Sequence, residues 1–334
     1  MSTYRGASAR RHPAGNPRIA AYFVIPLILG LLAAGVASSE PPPGVARVSA
    51  AEAERTGSAI RLIRQPVGAS TLVQVEAPDT SISLLAVSAD GSRVALADQL
   101  GEASGSLTLA ETDGEQLRIP MPGLLAASFA TDGSWLAVID GRGALWRVDA
   151  TSGRTAFLAE GPFIGSPVID GDGSLLLLAV PSVHAPYQSR LVRVAPATSS
   201  VALLSEQELV YAVFPLDDGN LAVVSHDPAG TAVHRLTGDG ESLLVDLGVG
   251  AVNVAVAPNG RIAFERSGDG VLVIDAPGSA PRSFGIGSRP CFAPDGSSLL
   301  VRRNDRTLAL DVDGAVLAVA DKPAAFAASA GCLP

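Results

Sequence analysis

Beyond residue 39 the chain holds three histidines, His184, His226 and His234, and so small a supply bounds its chemistry. His226 and His234 flank the short stretch from Asp227 to Thr231, so with Asp227 they form a conceivable metal pair across a hairpin. The gap between the two histidines matches no tight ligand spacing, and polar residues at strand ends are ordinarily solvated, so neither a metal nor a cofactor is assigned. Asp170-Gly171-Asp172-Gly173 and Gly238-Asp239-Gly240-Glu241 look like calcium loops, but the rest of a twelve-residue loop with its bidentate Glu does not follow. Turn chemistry accounts for both. The sequence contains no Gly-x-Ser-x-Gly elbow, phosphate loop, His-Glu-x-x-His or paired-cysteine zinc spacing. No catalytic residue is assigned, and a non-enzymatic role is expected.

The longest hairpin insertion is Pro181-Ser182-Val183-His184-Ala185-Pro186-Tyr187-Gln188-Ser189-Arg190. Tyr and Arg are the types most enriched at recognition surfaces, so His184, Tyr187 and Arg190 mark a candidate partner loop. Such loops carry function when a rigid scaffold presents them, and they are also where insertions are simply tolerated.

That scaffold is repeated. Turn pairs fall at Asp90-Gly91, Asp132-Gly133, Asp172-Gly173, Asp218-Gly219, Asn259-Gly260 and Asp295-Gly296, with spacings of 42, 40, 46, 41 and 36 residues. Each pair supplies the positive φ of a tight hairpin turn, and the apolar runs on both sides read as its strands. Before the turns stand Val87, Phe129, Ile169, Phe214, Val256 and Phe292, expected to face one core; the fourth copy carries one inserted residue. A second hairpin follows in each copy, clearest from Gly143 to Leu158, which makes four strands per repeat. An all-β repeat near 40 residues predicts a β-propeller of four-stranded blades. No helical pattern is expected after Ala37.

The Ala-Pro-Asp-Gly and Ala-Pro-Asn-Gly hairpins, with a strand-Asp-x-x-x-Gly-strand unit behind them, resemble TolB-type, WD40-like propeller repeats over roughly residues 84–321. No Trp-Asp dipeptide closes a third strand, which separates the copies from true WD40 blades. The resemblance implies an interaction platform rather than one chemistry. Runs at 59–67, 71–77 and 324–330 do not fit inside six blades. They are expected to form a composite seventh blade with the C-terminal run innermost, a plain six-bladed ring being the alternative. Cys291 would then lie on the inner strand beside the one that ends near Cys332, and a disulfide between them is expected outside the reducing cytoplasm; two separate thiols are the alternative.

Residues 1–39 contain four arginines and no acid, and Ile19 to Ala37 runs without a charge. At about 1.5 Å per residue a helix of that length spans close to the roughly 30 Å hydrocarbon core. Arginines ahead of the segment orient it, so the expected domains are a cytoplasmic leader (1–18), a transmembrane signal anchor (19–37), a Pro-containing tether (38–58) and an extracytoplasmic propeller (59–334). Secretion after cleavage near Ala37 is the alternative. Beyond Ser39, 20 basic and 33 acidic residues leave a formal charge of −13, which argues against nucleic acid as a partner. The expected partner is a protein or a cell-envelope component, and the rival function is a propeller enzyme or ligand sensor with its site at the channel mouth.

Overall fold

The computed structural model describes residues 44–78, 82–98, 105–170, 172–180, 188–205, 207 and 209–327. The leader, the segment 19–37, His184, Tyr187 and Cys332 lie outside the described residues. Among the described residues no helix is long and apolar enough to cross a membrane.

Seven antiparallel sheets form the blades of a propeller. The innermost strands of blades 1 to 7 are Ile82–Val87, Ala126–Phe129, Phe163–Ile169, Val210–Pro215, Ala251–Val256, Ser288–Phe292 and Ala324–Phe326. In blades 1 to 6 the chain steps outward from there, strand by strand. Blade 7 joins the two ends of the chain: Ala324–Phe326 pairs with Ser70–Glu76, with Ala325 opposite Val73, and Ser70–Glu76 pairs with Arg61–Val67. The ring therefore has seven blades, and the six-bladed alternative falls.

Strand counts depart from a uniform four. Blade 7 has three strands, whereas blade 1 has five, because Ala46–Val48 pairs with Gln116–Pro120 at its outer edge. Residues 44–58, expected as tether, thus hold that strand and a short helix, Ala50–Thr56. Ser49 caps the helix by accepting from the Glu52 amide at 3.3 Å, and Gly57 ends it in the left-handed conformation, φ 69°. Ala53 is fully buried, and the Ser58 carbonyl accepts from Gln116 of blade 1 at 3.0 Å. The expectation of no helix after Ala37 fails here for a local reason: one buried alanine and two caps suffice for two turns and leave no periodicity to see.

The core is divided by seam. Buried apolar residues form seven clusters, each joining two neighbouring blades. Second strands such as Trp135–Ile139 are buried throughout because a blade covers each face. The expectation of one core is corrected accordingly. Val213 packs into the seam between blades 3 and 4, and Phe214 into the seam between blades 4 and 5. A single inserted residue turns a side chain to the other face, which is what the fourth copy shows.

In all six turns the glycine alone takes positive φ, from 66° at Gly296 to 85° at Gly260. The residue before it does not, so the turns are not type I′. Each glycine amide instead bonds the carbonyl three residues back, as Gly91 does to Ser88 at 2.9 Å, while the Asp or Asn side chain accepts from the amide two residues on. At Asp90 burial acts to raise the carboxyl, but hydrogen bonds from the Ser88 and Ser92 hydroxyls and the Ser92 amide outweigh it and hold the pKa at about 2.

These turns also stitch the ring. The Arg64 guanidinium of blade 7 donates to the Asp90 carbonyl of blade 1 at 2.7 Å, and Arg93 of blade 1 reaches Gly133 of blade 2 at 3.4 Å. Asp217 donates through its amide to Pro258 of blade 5 at 2.9 Å, and Arg261 of blade 5 donates to Gly296 of blade 6 at 3.2 Å. One face of the propeller is thus taken up with its own construction.

Candidate functional site

The opposite face carries the loops that join second to third strands, and there the inner strands begin. A cavity of about 410 Å³ opens at this end where blades 3, 4 and 5 meet. Ser189 comes from blade 3, Leu209, Tyr211 and His226 from blade 4, and Ala251, Val252 and Asn253 from blade 5. The volume falls within the roughly 300–1,000 Å³ usual for ligand pockets.

Local irregularities aim these residues. Both inner strands slip register at the pocket, between Val210 and Ala212 in blade 4 and between Val252 and Ala255 in blade 5. Such bulges re-aim side chains without ending the strand. Asn253 takes φ 49°, which asparagine tolerates, and Leu209 takes φ 62°, which costs a branched side chain about 1 kcal/mol or more. The Leu209 carbonyl accepts the His226 amide at 3.1 Å and so ties the loop to the second strand.

Hydrogen bonds fix what each polar group offers. The Thr231 hydroxyl, fully buried, donates to the Ala251 carbonyl at 2.6 Å. A hydroxyl has one proton, so at the 2.8 Å contact with Thr231 the His226 Nδ1 is the donor. A neutral His226 therefore keeps its Nε2 lone pair as an acceptor. Burial pushes the Tyr211 phenol up, against a hydrogen bond from the Val254 amide, so Tyr211 stays protonated with its proton to offer. The Asn253 amide nitrogen donates to Glu265 at 2.7 Å, leaving its oxygen as the acceptor. The Ser189 hydroxyl proton goes to the Val210 carbonyl.

Several expected sites change character. His226 and His234 do not meet: His226 stands opposite Thr231 and His234 opposite Val223, which puts the two on opposite faces of one sheet. His234 instead hydrogen-bonds Ser225 at 3.1 Å and lies 3.9 Å from Glu241, which accepts from the buried Ser205. Among the described residues no group of His, Cys, Asp and Glu has the makings of a metal site. Arg190 opens the third strand of blade 3 beside Ser189, so the described end of the expected partner loop adjoins the pocket. Tyr211, Val252 and Asn253 escaped sequence analysis; the one signal was a polar Asn inside the run Ala-Val-Asn-Val-Ala-Val. Cys291 is buried in the seam between blades 6 and 7 and is not a free thiol.

Fold and site together define a seven-bladed β-propeller with a pocket at the inner-strand entrance. No family model matches the chain, and no curated protein sequence does. Among solved structures, TolB from Acinetobacter baumannii matches with a TM-score of 0.53 at 15% identity, covering 84% of this chain and 86% of that one. An oligogalacturonate lyase in complex with manganese matches at 0.57 and 13% identity, over 79% and 84% of the two chains. The β-propeller domain of Cps50 (Swd1) from Myceliophteria thermophila matches at 0.52 and 9% identity, over 73% and 88%. At such identities the likeness establishes the fold, and no activity carries across from neighbours so different from one another.

Proposed function

We propose that this chain is a non-catalytic binding propeller, anchored in a membrane through residues 19–37, that holds a protein or another cell-envelope component outside the cytoplasm. The observation that carries this reading is the pocket at the junction of blades 3 to 5, where Tyr211, Leu209 and Val252 supply contact area and His226 and Asn253 supply hydrogen-bonding groups. A rigid scaffold presenting an aromatic within an apolar, partly polar concavity is the usual form of an interface anchor. The acidic balance of the chain beyond Ser39 supports partners other than nucleic acid.

Crosslinking in intact cells followed by capture of the chain tests the reading. One defined partner is expected with the natural protein and loss of it with Val252→Arg, which puts a charged chain at a 45% exposed lip position. Capture that Val252→Arg leaves unchanged would place the interaction elsewhere. Added protease should trim residues beyond Ser39 before the cells are opened; protection until lysis would reverse the orientation. A second reading, a sensor for a free small molecule, is favoured by the same His226, Tyr211 and Asn253 cluster, and it predicts saturable ligand binding with no captured partner.

A further inference from the structure

We propose that the pocket receives a primary ammonium group carried on an apolar body, either a lysine side chain of the bound partner or a free alkylamine. The inference rests on the binding-face reading above and names the chemistry that this pocket selects. Three acceptors line the cavity once internal hydrogen bonds are assigned. His226, as the neutral imidazole, keeps the Nε2 lone pair because its Nδ1 donates to Thr231, whose single proton goes to Ala251. Asn253 keeps its oxygen because its nitrogen donates to Glu265. Ser189 keeps an oxygen lone pair because its proton goes to Val210.

An ammonium has three donors and no acceptor, so it matches this set, whereas a carboxylate or phosphate would meet acceptors and the single Tyr211 hydroxyl. No lysine or arginine is among the described lining residues, so an anion would find no countercharge in the wall itself; Arg190 follows Ser189 in the chain, and Arg266, opposite Ala251, turns its guanidinium to the Leu247 carbonyl. Glu265, held to Asn253, adds negative potential beside the cavity. The remaining walls, Leu209, Ala251, Val252 and the Tyr211 ring, suit a hydrocarbon stem, and a tyrosine ring attracts a cation over its face.

The test is calorimetric titration of the full chain in detergent with n-hexylamine, hexanoate, Nα-acetyl-lysinamide and its Nε-acetylated form. Hexylamine is expected to bind at one site at least ten-fold more tightly than hexanoate, and Val252→Arg should weaken it at least ten-fold while leaving the far-ultraviolet spectrum and melting temperature in place. Nα-acetyl-lysinamide binding tighter than hexylamine, with loss on Nε-acetylation, supports a partner's lysine as the source; the reverse order supports a free amine. Hexanoate within two-fold of hexylamine, no saturable amine binding, or amine binding indifferent to Val252→Arg would each overturn the proposal. Partner capture that depends on Val252 while amines fail to bind would remove the ligand class and leave the platform. Amine binding without any captured partner would do the opposite.

Discussion

Arg261 shows how single residues hold this ring. The residue is 9% exposed, and its guanidinium bonds Asp275 at 2.9 Å within its own blade and the Gly296 carbonyl in the next and lies over the Phe292 ring with 5.5 Å to the centroid. Arg261→Ala should cost about 2 kcal/mol in urea unfolding, since it removes charge-assisted bonds and leaves the seam short of a side chain. Arg282 also pairs with Asp275, at 3.1 Å, and donates to the Val312 carbonyl of blade 6 at 2.7 Å, but its side chain is 41% exposed, so Arg282→Ala should cost under about 1 kcal/mol. Equal losses from the two would show that burial adds nothing to the inter-blade bonds of Arg261.

The turn carboxylates make a second prediction at this scale. Asp90 sits at about 2 in the folded chain, below the roughly 3.9 of an unfolded aspartate, and Asp132, Asp149 and Asp172 are lowered as well. The folded state therefore binds fewer protons than the unfolded state between about pH 4 and pH 2. Stability should be level above about pH 4 and fall as pH drops through that window. Asp90→Asn keeps a turn-compatible side chain and should flatten part of the fall in melting temperature between pH 4 and pH 2.5. A variant with the natural slope would show that the Asp90 carboxylate adds nothing to it.

Among elements, the strand Ala46–Val48 and the helix Ala50–Thr56 distinguish this chain from its own repeat pattern. The strand covers the edge of blade 1 and so conceals one row of unpaired backbone groups. The helix is too short to persist on propensity alone, so its caps and the buried Ala53 must hold it. Ser49→Ala should cost about 1 kcal/mol locally. Hydrogen exchange is expected to quicken several-fold at residues 52–56 while the inner strands of the blades keep their protection. Unchanged exchange there would mean that tertiary contacts alone maintain the helix.

For the molecule as a whole, closure depends on blade 7, whose inner strand Ala324–Phe326 is the final element described. Phe326 is fully buried and packs with Leu72, Cys291 and Leu300 across the seam between blades 6 and 7. We propose that Cys291 pairs with Cys332 and so ties the last strand to blade 6. The bond would close a loop of about 40 residues, and its reduction should lower stability by roughly 3 to 4 kcal/mol on the chain-entropy account. Mass spectrometry of the unreduced chain should find a mass two hydrogen atoms below that of the dithiol. Finding both thiols free would end the pairing.

The six Asp-Gly and Asn-Gly turns, their near-40-residue period and the apolar runs behind them were legible because they are local: a turn needs its glycine wherever the turn occurs, and a strand buried on both sides needs continuous apolar residues. Joining the chain's ends in blade 7 was also legible, because the unused runs before the first turn and after the last had no other place to pair. Other features depended on contacts between distant residues. That Val213 and Phe214 serve different seams follows from which neighbours flank blade 4, and that His226 and His234 part company follows from strand register, where one residue decides the face. The pocket was least visible, since Ser189, Tyr211, His226 and Asn253 come from three blades and are brought together by bulges whose cost is met only once the seams have packed. The helix at 50–56 had both its start and stop signals in Ser49, Glu52 and Gly57, yet the burial of Ala53 against the propeller is a tertiary fact. Sequence determined the repeating unit and its turns; packing between units decided where those turns and their side chains meet.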